Sequence, residues 1–127
     1  MIPVVPVIYT KNFLNSIKKL SSKEQNAIKY NLEHQTEEDV ARVPYYKGTD
    51  EIGQTILRFY KKFKVGRKDY RIMLVYCAEC YPDEEMRNYH DCSICDGENL
   101  ERIIVFHFFL RPKAYNHRKF KLPDFKF

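Results

Sequence analysis

Hydrophobic and polar residues alternate most clearly along two neighbouring stretches in the middle of the chain, 57–65 and 70–76. An alternation with a period of two is typical of a β-strand that is buried on one side. Residues 66–69 between the stretches are polar and begin with Gly66, which favours a turn. The pattern therefore predicts a β-hairpin, and Leu57, Phe59, Phe63 and Val65 share one side of its first strand, interrupted only by Lys61.

The opposite side of the predicted hairpin is basic. Lys62 and Lys64 lie on this side of the first strand, and Arg71 lies on the same side of the second strand. Like charges next to each other on one sheet face repel and destabilise the sheet. One interpretation is a basic surface in contact with solvent. The other is a surface that binds phosphate groups.

The first third of the chain predicts one strand and two helices. Residues 4–9 are apolar and β-branched, and the prolines within and before them favour an edge position or a late start. Thr10 is a suitable N-cap for a first helix. Ser21 or Ser22 is a suitable N-cap for a second helix, whose apolar pattern ends near residue 35. Helices joined by so short a link are expected to form an antiparallel hairpin that covers a sheet. Their apolar positions are Phe13, Leu14, Ile17, Leu20, Ala27, Ile28 and Leu32.

Two further segments complete the predicted domain. Residues 36–54 are expected to be mostly loop, with the acidic residues 37–39 in solvent and residues 45–48 against the sheet edge. Residues 103–110 are almost continuously apolar, which predicts a strand covered on both faces or at the sheet centre. His107 falls on the same side of this strand as Phe109 and Arg111, and it is either a hydrogen-bonded core residue or a functional group.

The four cysteines form two C-x-x-C pairs, Cys77 with Cys80 and Cys92 with Cys95. Two such pairs can bring four thiolates together in the tetrahedron that a structural zinc ion requires. The polar segment between the pairs has no evident core of its own, so we expect zinc to hold it. Two disulfides or four thiols are the alternatives. His90 could replace one cysteine as a ligand, or it is a loop residue.

Composition and charge restrict the class of protein. The 127 residues are enough for one domain, 1–127, and 22 Lys and Arg against 17 Asp and Glu give a net charge of +5. Nucleic acid is the leading polyanionic partner for a small protein of this charge. No apolar run is long enough to span a membrane and no leader segment is evident, so we expect a cytoplasmic protein without membrane contact.

Three motifs resemble the RelE/ParE superfamily of toxins, and the RelE branch in particular. They are Tyr60-x-Lys62-x-Lys64, then Tyr70-Arg71 in the second central strand, and Arg111-x-x-x-Tyr115 after the last strand. The resemblance extends from about residue 4 to residue 115. It implies an α+β fold in the order β-α-α-β-β-β: a small, twisted, mainly antiparallel sheet covered by a two-helix hairpin. The chain differs in the insertion 77–95, expected to be a zinc-binding β-hairpin or loop, and in Leu110, where many members have a histidine.

The resemblance also implies a function. Members of the RelE branch enter the ribosome and cut the mRNA codon there without a metal ion, and a cognate antitoxin inhibits them. Such a protein needs no small-molecule cofactor. By this resemblance Lys64, or Lys62, is the general base, and the other lysine and Arg71 stabilise the negative charge that develops on the phosphate. Arg111 holds the scissile phosphate, and Tyr115 stacks on a nucleobase. Further RNA contacts are assigned to Arg58, Lys113, His117, Arg118 and Lys119, the last three in the basic aromatic tail 116–127.

Two other functions remain open. A ParE-like protein would inhibit DNA gyrase, although such proteins usually lack the full set of cations seen here. A non-catalytic protein with the same fold would use the zinc insertion and the basic tail to bind RNA or a protein.

Overall fold

The computed structural model describes residues 3–46, 59–65, 70–90 and 100–110, and within the last range it leaves the side chains of Phe109 and Leu110 undescribed. These residues form an α+β fold with a four-stranded mixed sheet in the order β1-β4-β3-β2. The predicted α+β class is therefore confirmed. The strands are β1 (Val7–Tyr9), β2 (Lys61–Val65), β3 (Tyr70–Tyr76) and β4 (Ile103–Leu110).

β1 lies at the sheet edge and starts immediately after Pro6. Proline cannot donate to a strand ladder, which explains both properties and confirms the prediction of an edge position and a late start. β1 runs parallel to β4, whereas the other two strand pairs are antiparallel. The Thr10 hydroxyl fixes this corner because it donates to the carbonyl oxygen of Val105 at 2.9 Å.

Two helices follow β1, as predicted: α1 (Lys11–Ser16) and α2 (Ser22–Glu33). Thr10 caps α1 by accepting a hydrogen bond from the Phe13 backbone at 3.2 Å, and Ser21, rather than Ser22, caps α2. The first helix is shorter than predicted, since it ends at Ser16 and excludes Leu20. Leu14, which was expected in the apolar stripe, is 38% exposed.

A third helix, α3 (Glu37–Arg42), replaces the first part of the predicted loop, so the prediction was wrong for these six residues. Thr36 and Asp39 form a capping box in which each side chain accepts a hydrogen bond from the other residue's backbone. The three acidic residues occupy the first turn, where the helix dipole favours negative charge. Only Val40 of this helix is buried, so the apolar period that would predict a helix is missing.

β2 and β3 pair antiparallel, as the predicted hairpin requires, with Lys64 opposite Arg71. The first strand is shorter than predicted because β2 starts at Lys61, and Phe59 packs in a different apolar cluster from Phe63 and Val65.

Residues 44–46 lie along the side of β2 that faces away from β3. The Lys62 backbone donates to the Pro44 carbonyl at 2.7 Å, and the Tyr46 backbone donates to the Tyr60 carbonyl at 3.0 Å. The predicted position of Tyr45 and Tyr46 at the sheet edge is confirmed. Residues 47 and 48, predicted to lie with them, fall outside the described residues.

The sheet has two different faces. The helix face packs against α1, α2 and α3 and is almost entirely apolar. The opposite face, called here the mixed face, carries apolar residues at one end and cations at the other. Helix-face residues include Phe63, Ile72, Leu74, Val105 and Phe108, and mixed-face residues include Lys62, Lys64, Arg71, Met73, Val75, Ile104 and Phe106. Over residues 103–106, β4 is therefore covered on both faces, as predicted.

The insertion after β3 is helical over its described part, with α4 (Cys77–Cys80) and α5 (Glu84–His90). A β-hairpin or loop was expected for this segment, and it was expected to lack a core. Instead, Met86 is buried and Tyr89 packs against the mixed face. One apolar residue per turn anchors a helix too short to show a clear 3.6-residue period.

No helix among the described residues is long and apolar enough to cross a membrane.

Candidate functional site

The three predicted catalytic cations of the hairpin lie on the mixed face in two adjacent rows. One row runs from Lys62 on β2 to Met73 on β3, and the next from Lys64 to Arg71. Residues directly opposite each other in an antiparallel pair point to the same side of the sheet, with Cβ atoms roughly 5 Å apart. The expectation that these cations share one face is therefore met. Their role in catalysis stays a prediction.

A β-bulge adds His107 to the same rows. Met73 pairs with His107 and Leu74 pairs with Val105, so Phe106 is an extra residue in β4. Two consecutive side chains, Phe106 and His107, consequently point to the mixed face. Alternation along β4 predicts that His107 shares a side with Phe109 and Arg111, but it does not indicate the cations, because neither register nor bulges are evident within a single strand. We call Lys62, Lys64, Arg71 and His107 the cationic end of the mixed face.

The cations of this end lie at different depths. Lys64 is exposed, and Lys62 is half-buried with its Nζ 5.5 Å from the centre of the Tyr46 ring. Arg71 is only 6% exposed, and its Nη1 donates to the Tyr70 carbonyl at 3.1 Å. Met73, which lies between Lys62 and His107 in the same row, is fully buried. An anion at this surface can therefore contact an exposed ammonium group and a largely buried guanidinium group.

The two mixed-face histidines are electrically neutral at pH 7. Burial lowers the pKa of His107 to about 4. Burial also lowers the pKa of His90, and it outweighs the opposite effect of the hydrogen bond to the Phe59 backbone. Taking either imidazole out of water disfavours its charged form. The cationic end thus combines two lysines and one arginine with one neutral, partly exposed imidazole.

Aromatic residues form the other end of the mixed face. The His90 ring stacks on Phe106 with centroids 5.7 Å apart, and its Nε2 donates to the Phe59 carbonyl at 2.9 Å. The Phe106 ring also meets the Tyr60 ring edge-on at 5.4 Å. His90 is the last residue of α5 and so is not the loop residue that was expected. We call Phe59, Tyr60, Tyr89, His90 and Phe106 the aromatic end.

Lys61 precedes Lys62 in the chain, but its side chain lies on the other face of the sheet. Its side chain is 1% exposed on the helix face, and its Nζ contacts Glu79 at 2.9 Å and the carbonyl oxygens of Val40 and Val43 at 2.9 and 3.1 Å. The same Glu79 oxygen accepts a hydrogen bond from the Tyr45 hydroxyl at 2.6 Å. The ammonium group thus binds the C-terminal carbonyls of α3, where a positive charge is favourable. Lys61 joins α3, β2 and α4, and it cannot reach a ligand on the mixed face.

Half of the predicted zinc site is described. Cys77 and Cys80 lie three residues apart on α4, and both are buried. Positions i and i+3 share one helix face, so these two thiols suit two neighbouring corners of a tetrahedral site. Among the described residues, no group of three or more His, Cys, Asp and Glu side chains is arranged to hold a metal ion.

The remaining predicted site residues fall outside the described part of the chain, and their roles stay predictions. They are Arg58, Cys92, Cys95, Arg111, Lys113, Tyr115, His117, Arg118 and Lys119.

Comparisons with protein-family models, with curated proteins and with solved structures find no match to this chain. Function is therefore inferred from the residues and their arrangement.

Proposed function

We propose that this protein is a toxin of a toxin–antitoxin system and acts as a ribosome-dependent mRNA endonuclease. The observation that supports this proposal best is the cationic end, where Lys62, Lys64 and Arg71 share one sheet face in two adjacent rows. RNA cleavage needs positive charge close to the scissile phosphate. Lys64 offers this charge at the surface, and Arg71 offers it below the surface. The proposal extends to the cytoplasm as the compartment and to the ribosome with its mRNA as the partner.

The cleavage requires no metal ion to supply charge. The 2′-oxygen loses its proton and attacks the adjacent phosphorus, and the bond from phosphorus to the 5′-oxygen breaks after that oxygen receives a proton. The products carry a 2′,3′-cyclic phosphate and a 5′-hydroxyl group. Arg71 stabilises the negative charge that develops on the phosphorane, and Lys64 or Lys62 takes part in the proton transfers. Arg111 and Tyr115 are assigned to the phosphate and a base by resemblance alone.

An ordinary solvated surface explains the cationic end less well. Lys64 and Arg71 lie directly opposite each other, and like charges in such pairs cost stability, roughly 0.2–1 kcal/mol. Arg71 is moreover largely withdrawn from water, which makes its charge harder to screen. Phosphate oxygens placed between the two side chains would turn this repulsion into attraction. The antitoxin, expected to present an acidic or amphipathic helix, would cover the same surface.

The test is primer extension on mRNA in a cell-free translation reaction with the wild type, Lys64→Ala and Arg71→Ala. We expect new 3′ ends within codons on translating ribosomes, none on naked RNA, and none with either variant. Lys18→Ala is the matched control, because it removes one exposed lysine from the connection between α1 and α2, and it should cleave like the wild type.

Absence of cleavage by folded wild-type protein would contradict the nuclease assignment. A gyrase supercoiling assay would then test the ParE-like alternative, and pull-down experiments through the insertion and the tail would test the non-catalytic one.

We propose structural Zn²⁺ as the only metal, held by Cys77, Cys80, Cys92 and Cys95. When bound, the ion would fix the insertion and take no part in the reaction, because four thiolates complete its coordination. Elemental analysis should find one zinc per chain in the wild type and a loss of zinc in Cys77→Ser. His90→Asn should keep the metal, and a loss there would instead identify His90 as a ligand.

A further inference from the structure

We propose that His107 is the general base that takes the proton from the attacking 2′-hydroxyl, while the neighbouring lysines act as cations and proton donors. This inference rests on the proposed nuclease function and changes the assignment of its base. A lysine was expected in that role from the resemblance. The β-bulge in β4 brings a different kind of group to the same surface.

The strand register places His107 among the cations. Met73 pairs with Lys62 on one side and with His107 on the other, so the three residues form one row across β2, β3 and β4. Arg71 occupies the next row and is a diagonal neighbour of His107, at roughly 7–8 Å between Cα atoms. Side chains of this length can meet one phosphate group from both positions. In a regular strand, the alternation that puts Ile104 and Phe106 on the mixed face would turn His107 to the helix face, and the bulge prevents this.

The chemistry of the side chains separates their roles. A base must offer a lone pair, which a neutral imidazole has and an ammonium group lacks. Because burial lowers the pKa of His107 to about 4, its imidazole is neutral at pH 7. The negative charge of a bound phosphate raises the pKa of a nearby histidine, so His107 becomes a better base when RNA is present.

The reaction then balances without another reactant. The 2′-hydroxyl proton moves to His107 as the bond from O2′ to phosphorus forms. The bond from phosphorus to O5′ breaks as an ammonium group of Lys62 or Lys64 gives a proton to O5′. The imidazolium that remains lies beside the phosphate anion, and Arg71 neutralises the charge of the phosphorane.

Other ionisable groups also face this region. Lys62 and Lys64 approach from β2 and Arg71 from β3, and all three carry positive charge. Beyond Phe106, Tyr60 and His90 belong to the aromatic end, where burial raises the pKa of the Tyr60 hydroxyl far above neutrality and lowers that of His90. A change of rate between about pH 5 and pH 8 therefore has two candidate sources on this face, His107 and His90. A variant of each separates them.

The experiment is single-turnover cleavage on ribosomes programmed with one mRNA, measured from pH 4.5 to pH 8.5. His107→Gln should cleave roughly 10² to 10⁴ times more slowly than the wild type, with ribosome affinity changed less than about threefold. The wild-type rate should rise with pH and level off, and the variant should lose this dependence. In His107→Ala, added imidazole should restore part of the rate, which a purely structural role would not allow. His90→Asn is the matched histidine control and should keep both the rate and the pH dependence.

The outcomes distinguish this inference from the function on which it rests. If the wild type does not cleave, both are wrong. If the wild type cleaves and Lys64→Ala and Arg71→Ala do not, but His107→Gln keeps its rate and pH dependence, only the assignment to His107 is wrong. If neither His107 variant folds, NMR of the wild type with labelled histidine decides: binding of a 2′-deoxy trinucleotide should raise the pKa of His107 by at least one unit, and an unchanged titration would overturn the assignment.

Discussion

The aromatic end and the cationic end of the mixed face adjoin at Phe106 and His107 on β4 but have opposite properties. At the aromatic end, α5 covers the sheet, and rings from Phe59, Tyr60 and Phe106 pack against Tyr89 and His90. At the cationic end, Lys64 is exposed and Lys62 is only half-buried. The difference teaches that one sheet face can stabilise the fold at one end and keep charges available for a ligand at the other. Substitutions at the aromatic end should therefore lower the free energy of unfolding, and substitutions at the cationic end should lower the cleavage rate.

The largest loss of stability is expected for Phe106→Ala at the aromatic end. Phe106 is buried between the rings of Tyr60 and His90, and truncating a buried phenylalanine costs about 3–5 kcal/mol. The free energy of unfolding in urea measures this loss. Tyr30→Ala removes an aromatic ring that is 62% exposed, and it should cost less than about 1 kcal/mol. Equal losses in both variants would show that the aromatic end does not stabilise the fold.

The next largest effect is expected for Lys61→Met. Lys61 is buried and Glu79 is partly exposed, so removing the lysine leaves this carboxylate and two carbonyl oxygens without the ammonium group, at a cost of up to about 3 kcal/mol. The adjacent Lys62→Met should cost less than about 1 kcal/mol, because that side chain is half-buried and faces the other side. Unfolding in urea compares the two. The double variant Lys61→Met with Glu79→Gln should regain part of the loss, and no recovery would mean that the pair is not coupled.

The stability of the fold should also depend on pH, with one histidine at each end contributing to this dependence. His90 and His107 have lowered pKa values in the folded state, so between pH 6.5 and about pH 4 the unfolded chain binds more protons. Stability from this source is present above pH 6.5 and is lost as the pH falls to about 4. For His107 the loss is at most about 3 kcal/mol, from 1.36 kcal/mol per pKa unit.

Urea unfolding at a series of pH values measures this dependence. His107→Gln and His90→Asn should each flatten the curve over this range. A wild type whose stability is the same at pH 7 and pH 5 would contradict the neutral, buried state of both rings.

The smallest effect on stability, and a large one on function, is expected for Lys64→Ala. The side chain is exposed and faces Arg71, so its removal should change the free energy of unfolding by no more than about 0.5 kcal/mol. Cleavage on ribosomes should nevertheless be lost. If Lys64→Ala instead unfolds the protein, the cationic end is structural and the contrast between the two ends fails.

Local signals in the sequence were sufficient for several parts of the fold. Thr10 was identified as a helix cap, and Ser21 as one of two candidates, because such side chains act on backbone groups only three residues away. The edge position of β1 followed from the chemistry of proline. Lys62, Lys64 and Arg71 were placed on one face because alternation within a short hairpin leaves few registers.

Features that depend on distant contacts could not be predicted in this way. The bulge at Phe106 is defined only by the pairing of β4 with β3, so His107 could not be placed beside the cations. Lys61 has partners on α3 and α4, and nothing in its neighbours along the chain indicates them. α5 was missed because its stability comes from Met86 and Tyr89 packing on strands formed elsewhere in the chain.

The parallel pairing of β1 with β4 has a consequence for the time at which the sheet is completed. The contact between the Thr10 hydroxyl and the Val105 carbonyl spans 95 residues of chain. During synthesis, residues 7–9 leave the ribosome long before residues 103–105, and until then β1 has no strand to pair with. Contacts so distant in sequence also slow folding, because a long loop must close first. The newly made chain should therefore remain incompletely folded until synthesis has passed β4, and during this interval it is more accessible to proteases and chaperones than the finished protein.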